Sequence, residues 1–416
     1  MSDVIRDAPQ QAFRNYRELK DKLDGAVWGR SHSLVFITLS ASLFVWGVVL
    51  AVGPLVISWP MVTPSSVLYI LVAAPSGLLT GNLVMGILAD RLGRKKSFML
   101  TLIISIAGLA GILLSETIWL LIASLFLTEF GFGGEETVSL ALMSELFPIR
   151  YRGKALVGST NFANAGAMLV ALAFIASPFS IIDEKIMIAI LAAGGLGIAL
   201  VSRLLIPESL RWAFVKEKGP KTAAPLKVRE GAFSFAVLAT VASTIILTYA
   251  LLALVLGPFE FPHLVGAIVF TYNLGETAAG FAAIFIVSML SRKGFTLFAF
   301  AGGFITMLPF IAYYYIAPAS LLFFLSLLFI NGAFGEFGWA ARNMMQPELF
   351  TTRFRGTGIG SVRGIGYVLY IASLFLVYGY TPAEYIYYAS FIWLAGLIAA
   401  AAWYVKGRET SGESLD

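Results

Sequence analysis

The chain has 416 residues, of which 58% are hydrophobic and 13% charged, with a mean hydropathy of +0.84. A soluble chain of this length carries roughly twice that charged fraction, so most of this one is solvated by lipid. Cysteine is absent and His32 and His263 are the only histidines, one before the first apolar segment and one in a late loop; disulfides, thiolate chemistry and a two-histidine metal site are thereby excluded, and no cofactor is expected.

Residues 1–30 carry Arg6, Arg14, Arg17, Lys20, Lys22 and Arg30 among acids, with no apolar core. This is no cleavable signal. It reads as a solvated or surface-lying helix with Pro9 as its start, on the cytosolic side. Apolar windows then predict spans at 33–58, 65–89, 97–114, 117–146, 155–176 and 186–206, followed by 233–256, 264–290, 295–316, 319–347, 357–378 and 384–405. The polar stretch near Pro207 to Gly231 divides them six and six. The expected domains are a segment 1–30, a bundle 31–206, a cytoplasmic linker 207–232, a second bundle 233–405 and a cytoplasmic tail 406–416. With the N-terminus inside, nearly every Lys and Arg falls in the terminal segments or inner loops. Lys185 alone is outside, and Arg342 and Arg363 lie within spans. The basic pI of about 9.2 therefore reports topology, and nucleic acid is excluded as a partner.

Between spans 2 and 3 the chain reads Gly86-Ile-Leu-Ala-Asp90-Arg91-Leu-Gly93-Arg94-Lys95-Lys96. Gly93 permits a tight reversal, and Asp90 at a helix end is placed to pair with an arginine across the bundle. Span 4 contains Glu129, then Gly131-Phe-Gly133-Gly134-Glu135-Glu136. Carboxylates at that depth are expensive unless protonated, paired or facing water, so Glu135, Glu136 and Glu129 are candidates for proton exchange; the alternative is a pair with Arg342 or an inner-loop base. Adjacent residues point about 100° apart on a helix, so Glu135 and Glu136 need not share a site. The span closes with Glu145-Leu-Phe-Pro-Ile-Arg-Tyr-Arg152-Gly, which recurs after span 10 as Glu348-Leu-Phe-Thr-Thr-Arg-Phe-Arg355-Gly. This is an internal repeat, one copy per bundle. Pro207-Glu208-Ser-Leu-Arg211-Trp212 follows span 6.

Polar groups in the second half are Asn273 and Glu276 on span 8, Asn331, Glu336, Arg342 and Asn343 on span 10, and Arg363 on span 11. They are expected to face the interior. Glu336 is close enough along its helix to pair with Arg342. Arg363 either contacts substrate through its planar fork or pairs with Glu276 or Glu336. The tyrosines at 313–315 and Tyr385, Tyr387 and Tyr388 fall at outer ends and are read as interface anchors.

The Gly86 to Lys96 loop, the paired Glu/Arg repeats and the Glu208 motif resemble the major facilitator superfamily, and within it the sugar porters and related metabolite and organic-ion symporters. The resemblance covers roughly residues 33 to 405. It implies an all-α membrane protein of twelve helices in two pseudo-symmetric six-helix bundles, working by alternating access without enzymatic activity. It also implies a cytoplasmic gate formed by Gly86, Asp90, Arg91, Gly93, Arg94, Glu145, Arg152, Glu208, Arg211, Glu348 and Arg355. The second copy of the Asp-Arg loop has decayed to Ser291-Arg292-Lys293-Gly294, so the gate should be asymmetric. The chain departs from these relatives in span 1, apolar through Phe44 to Val49 without their Asp residues, and in span 7, which lacks the sugar porters' paired Gln. The expected substrate is a small polar organic solute. An organic anion is favoured, with Arg363, Arg342, Asn343, Asn273, Glu276 and Glu336 as its site. A proton is the expected co-substrate, in a monomer embedded in plasma-membrane lipid; a sugar, or an organic cation or drug for export, is the alternative cargo.

Overall fold

The structure is a computed structural model that describes residues 16–176, 180–218, 228–316 and 320–415. The start proposed at Pro9 lies outside them. Helix α1 is Tyr16–Asp24 and α2 is Arg30–Leu55, followed by α3 Pro64–Leu92, α4 Arg94–Leu113, α5 Ile118–Leu146, α6 Ile149–Ala176 and α7 Ile181–Leu205. The short α8, Leu210–Lys218, leads to α9 Val228–Tyr249, a π-helical segment Ala250–Val255 and α10 Leu256–Glu260. Then come α11 Val265–Ile286, α12 Arg292–Ile316, α13 Leu321–Leu349, α14 Arg355–Val377 and α15 Pro382–Lys406. Twelve of these stretches are long and apolar enough to cross a membrane; even the 20 residues of α4 span about 30 Å.

Local chemistry sets where several helices start. Thr117 and Ser320 accept from the third residue of α5 and α13, and Thr381-Pro382-Ala-Glu384 forms a reciprocal cap on α15. Within each half, packing is strongest for α3 and α4 on α5 and α2 on α6, and for α11 and α12 on α13 and α12 on α15. The halves meet along two seams, α3 with α14 and α6 with α11. Glycine makes the first seam possible: a Cβ on Gly86 would sit 2.6 Å from the Gly356 carbonyl oxygen.

Two expectations are corrected here. Helix α1 is no freely solvated segment, because Leu19 and Leu23 bury against Phe214 of α8. Tyr385 is no interface anchor either; it is fully buried, with its hydroxyl donating to the Leu251 carbonyl at 2.8 Å inside the π-helical segment.

Candidate substrate cavity and gate

At the face bearing α1 and residues 407–415, Gly93 takes φ +113°, a conformation open to glycine, and reverses the chain so that α4 begins at Arg94. Arg94 is fully buried. Its Nη1 donates to Asp90 Oδ1 at 2.8 Å and the Ala89 carbonyl at 2.7 Å, and Nε and Nη2 donate to Glu145 at 3.2 and 2.9 Å. The same Nη2 reaches the Thr352 carbonyl of the other half at 2.7 Å. Glu145 also accepts from Arg355 Nη1 at 2.6 Å. Among the described residues Asp90 pairs with no arginine across the bundle. It holds Arg94 one turn along and accepts across the seam from the backbone N–H groups of Gly356 (3.0 Å) and Thr357 (2.7 Å), the free donors at the start of α14.

Glu208 caps α4, with Oε1 accepting from Arg94 N at 2.9 Å and Lys95 N at 3.2 Å. Burial pushes its carboxyl up, and these backbone bonds only partly oppose the rise. Arg91 stands apart: its side chain is exposed, and its carbonyl accepts from Lys216 Nζ at 3.1 Å. Its position one residue past Asp90 turns it out of the bundle. Arg152 and Arg211 converge on Asp24 at the end of α1, at 2.7 and 2.8 Å, and donate to the tail carbonyls of Glu413 and Leu415 at 3.2 Å each. Asp24 went unread because its segment looked solvated. Glu348 pairs with Arg292 at 3.3 Å and accepts from Thr410 Oγ1 at 2.6 Å.

At membrane depth the structure redistributes the carboxyls. Glu135 pairs with Arg203 of α7, which lies over the Phe98 ring. Glu136 accepts from Trp339 Nε1 at 3.3 Å, from Arg342 Nη2 at 3.2 Å and from Arg363. Arg363 therefore pairs with neither Glu276 nor Glu336, and Arg342 does not hydrogen-bond Glu336; helices α13 and α14 both turn their guanidinium toward α5 across the molecule. With each of Glu135 and Glu136 compensated by a cation, the carboxyls without one among the described residues are Glu129, Glu276 and Glu336. Glu129 accepts from Trp46 Nε1 at 3.1 Å, and Glu336 from Asn164 Nδ2 at 2.7 Å.

Between the halves lies a cavity of about 60 Å³. Its charged lining is Arg342, Arg363 and Glu276; its aromatic walls are Trp46 and Trp339 on one side and Tyr249, Tyr367 and Tyr370 on the other. Asn164 is its neutral amide. The π-helical segment brings Ala250 and Leu254 to the wall. Asn273, Asn343 and Glu336 do not line it. Asn273 donates to the Val269 carbonyl at 2.8 Å, while Asn343 Oδ1 accepts from Arg342 Nη2 at 3.0 Å and so orients the guanidinium from behind. Arg342 Nε and both Nε and Nη1 of Arg363 have no hydrogen-bond partner among the described residues. Trp46, Asn164, Trp339 and the three tyrosines were not anticipated; the available signal was Tyr367 four residues after Arg363, one turn along the same face.

A family model for sugar (and other) transporters matches residues 62–232. A Bacillus subtilis protein bearing the name niacin/nicotinamide transporter is 25% identical over 365 residues, 82% of this chain and 86% of that protein. A niacin transporter of Acinetobacter baylyi is 33% identical over 118 residues, 28% of this chain and 27% of that one. The myo-inositol transporter 1 of Candida albicans is 32% identical over 101 residues, covering 24% of this chain and 18% of its own length. Among solved structures, the proton:xylose symporter XylE bound to 6-bromo-6-deoxy-D-glucose superposes with a TM-score of 0.74 at 16% identity, over 92% of this chain and 97% of that one.

Proposed function

We propose that this chain, a membrane transporter of the major facilitator superfamily and of its sugar-porter kind, carries a small aromatic organic anion by alternating access, in symport with a proton. The observation that carries this reading is the pair of buried guanidiniums at the cavity wall. Arg342 and Arg363 share the single carboxylate of Glu136 and keep N–H donors unpartnered. When Glu276 on the same wall carries a proton, two guanidiniums against the one carboxylate of Glu136 leave a positive charge that a carboxylate ligand neutralises, and the planar fork of arginine suits a carboxylate. The aromatic walls suit a flat ring. Niacin, named for two of the relatives, is a pyridine ring bearing a carboxylate and has this chemistry. A sugar or polyol fits less well, since Asn164 is the one neutral amide on a wall otherwise aromatic, aliphatic or charged.

The basic face is the cytoplasmic gate, held shut by Asp90 on the start of α14 and by Glu145 on Arg355, with Gly86, Gly93, Arg94 and Glu208 shaping that corner. Arg152, Arg211 and Glu348 brace the termini against it. Both termini are cytoplasmic, and the monomer works in the cell membrane.

Radiolabelled niacin uptake into proteoliposomes tests the reading, with benzoate, nicotinamide, myo-inositol and an organic cation as competitors. Benzoate should compete and the neutral amide should compete at least tenfold more weakly, about the worth of one charge-assisted hydrogen bond. Uptake of inositol or of the cation in preference to both acids overturns the anion reading.

A further inference from the structure

The charges around the cavity leave one carboxyl unaccounted for. Glu276 reaches the wall from α11, is 2% exposed, and has no hydrogen-bond partner for Oε2 among the described residues. No described cation lies within ion-pair distance of it. Its Oε1 lies close against α13: a Cβ built on Gly335, next to Glu336, would sit 3.3 Å from it, so a larger residue there would require the carboxyl to give by a few tenths of an ångström. Around it, α13 brings Glu336 and Arg342, α9 brings Tyr249, α11 itself brings Tyr272, and α14 brings Arg363 across the cavity. The α2 and α6 walls bring Trp46 and Asn164, which do not titrate.

We propose that Glu276 is the site of the transported proton, and that protonating it admits the anion. The proposal rests on the anion reading above and assigns the coupling step within it. With Glu276 ionised, Arg342, Arg363, Glu136 and Glu276 sum to zero charge. Adding the proton alone leaves +1, adding the anion alone leaves −1, and adding both restores zero. A net charge in a closed, dry cavity is strongly disfavoured, so the empty and the fully loaded carriers cross readily while the half-loaded carriers do not. That difference is what couples the two fluxes. The proton comes from bulk water, forms the O–H bond of the Glu276 carboxylic acid, and returns to bulk water on the far side; no bond to the substrate forms or breaks. Glu129 and Glu336, each accepting one N–H bond, do not line the cavity and stand outside this balance.

Two measurements on the full chain decide this. The first needs no substrate: purified transporter in nanodiscs is titrated with pH while the infrared carbonyl stretch of protonated carboxyls is followed. One acid band should disappear with rising pH in the unaltered protein and be missing from Glu276→Gln; a titrating band that persists in Glu276→Gln overturns the proposal. Glu276→Asp keeps an acid and should shift the midpoint rather than abolish it, and an unmoved midpoint in that variant also overturns it. The second follows niacin binding against pH. Affinity should fall about tenfold per pH unit above the midpoint, as one linked proton requires, and the Glu276→Gln profile should be flat. A slope retained in Glu276→Gln overturns the proposal. If the unaltered protein binds niacin at no pH, the anion reading fails, and the infrared titration upholds or overturns the proton site by itself.

Discussion

The two corners of the basic face are built alike and bonded differently. In the first, Arg94 opens α4, pairs with Glu145, and has its helix start capped by Glu208. In the second, Arg292 opens α12, pairs with Glu348, and is capped by Glu409, whose Oε1 accepts from Arg292 N at 2.9 Å and Oε2 from Lys293 N at 3.2 Å. The Arg/Glu pair and the carboxylate cap of the repeat thus persist in contacts where the loop looked decayed in sequence. What differs is reach: the first corner crosses to the other half through Asp90, Arg94 and Glu145, whereas Glu348 is turned to Arg292 and to Thr410 of the tail. Asp90 aligns with Ser288, whose hydroxyl donates to the Phe285 carbonyl of its own helix at 2.7 Å. In the proposed gate the first corner is the latch that opens and the second its fixed counterpart.

The largest expected effect comes from breaking the carboxylate that two cations share. Glu145→Gln removes the negative charge that Arg94 and Arg355, both fully buried, share, and removing one partner from a buried pair costs about 3–5 kcal/mol. The paired change Glu348→Gln should cost about 1–2 kcal/mol, because Arg292 is 7% exposed and Thr410 still reaches the new amide. Thermal unfolding of both variants checks the ranking; equal losses would erase the proposed difference between the corners.

Next comes the latch. Asp90→Asn weakens two charge-assisted bonds to the α14 start, worth about 1–2 kcal/mol, so inward-open occupancy should rise about tenfold. The chain has no cysteine, so a single one introduced at the inner end of α3 or α14 reports this by its labelling rate. The reverse change, Ser288→Asp, should do almost nothing. Gly356 and Thr357 offer free N–H groups because α14 begins at Arg355, but α6 begins at Ile149, so the aligned Gly153 and Lys154 are already within its first turns. A strong effect of Ser288→Asp would show that the corners are interchangeable. Between these in size, Asp24→Asn should loosen the terminal brace by about 1 kcal/mol, seen as faster proteolysis of α1 with the gate still closed.

Much of this was legible in the sequence, for reasons that differ by residue. Twelve spans follow from apolar run length, and the clustering of Lys and Arg marks one face as basic. Arg363 and Arg342 stood out because a charge at membrane depth requires a reason. Their partner did not, since Glu136 lies more than two hundred residues away and only the packing of the two halves brings it across. The same limit explains Asn164 with Glu336, and within the first half tertiary packing alone brings Arg203 to Glu135. Trp46 was hidden for another reason: in an apolar run an indole reads as lipid-facing filler, and its N–H donation to Glu129 is a tertiary fact.

The smallest expected effect separates the two helix caps by pH. Burial raises the Glu208 carboxyl and outweighs the backbone N–H bonds it accepts. At Glu409 burial also acts upward, but bonds from Ser411, Arg292 and Lys293 outweigh it and hold the group below its ordinary value. The two signs are opposite. A carboxyl raised by folding contributes stability that is fully present below its unfolded value and lost as pH rises through the folded one; a carboxyl lowered by folding contributes stability present above its unfolded value and lost as pH falls through the folded one. Glu208→Gln should therefore remove a loss of stability on the alkaline side of the ordinary carboxylate range, and Glu409→Gln a loss on its acid side. Each changes the slope of melting temperature against pH by a small amount, because Glu409 is substantially solvated and screened. Melting curves for both variants and the unaltered chain across the carboxylate range check the pair, and slopes changing in the same direction would mean that the caps are equivalent.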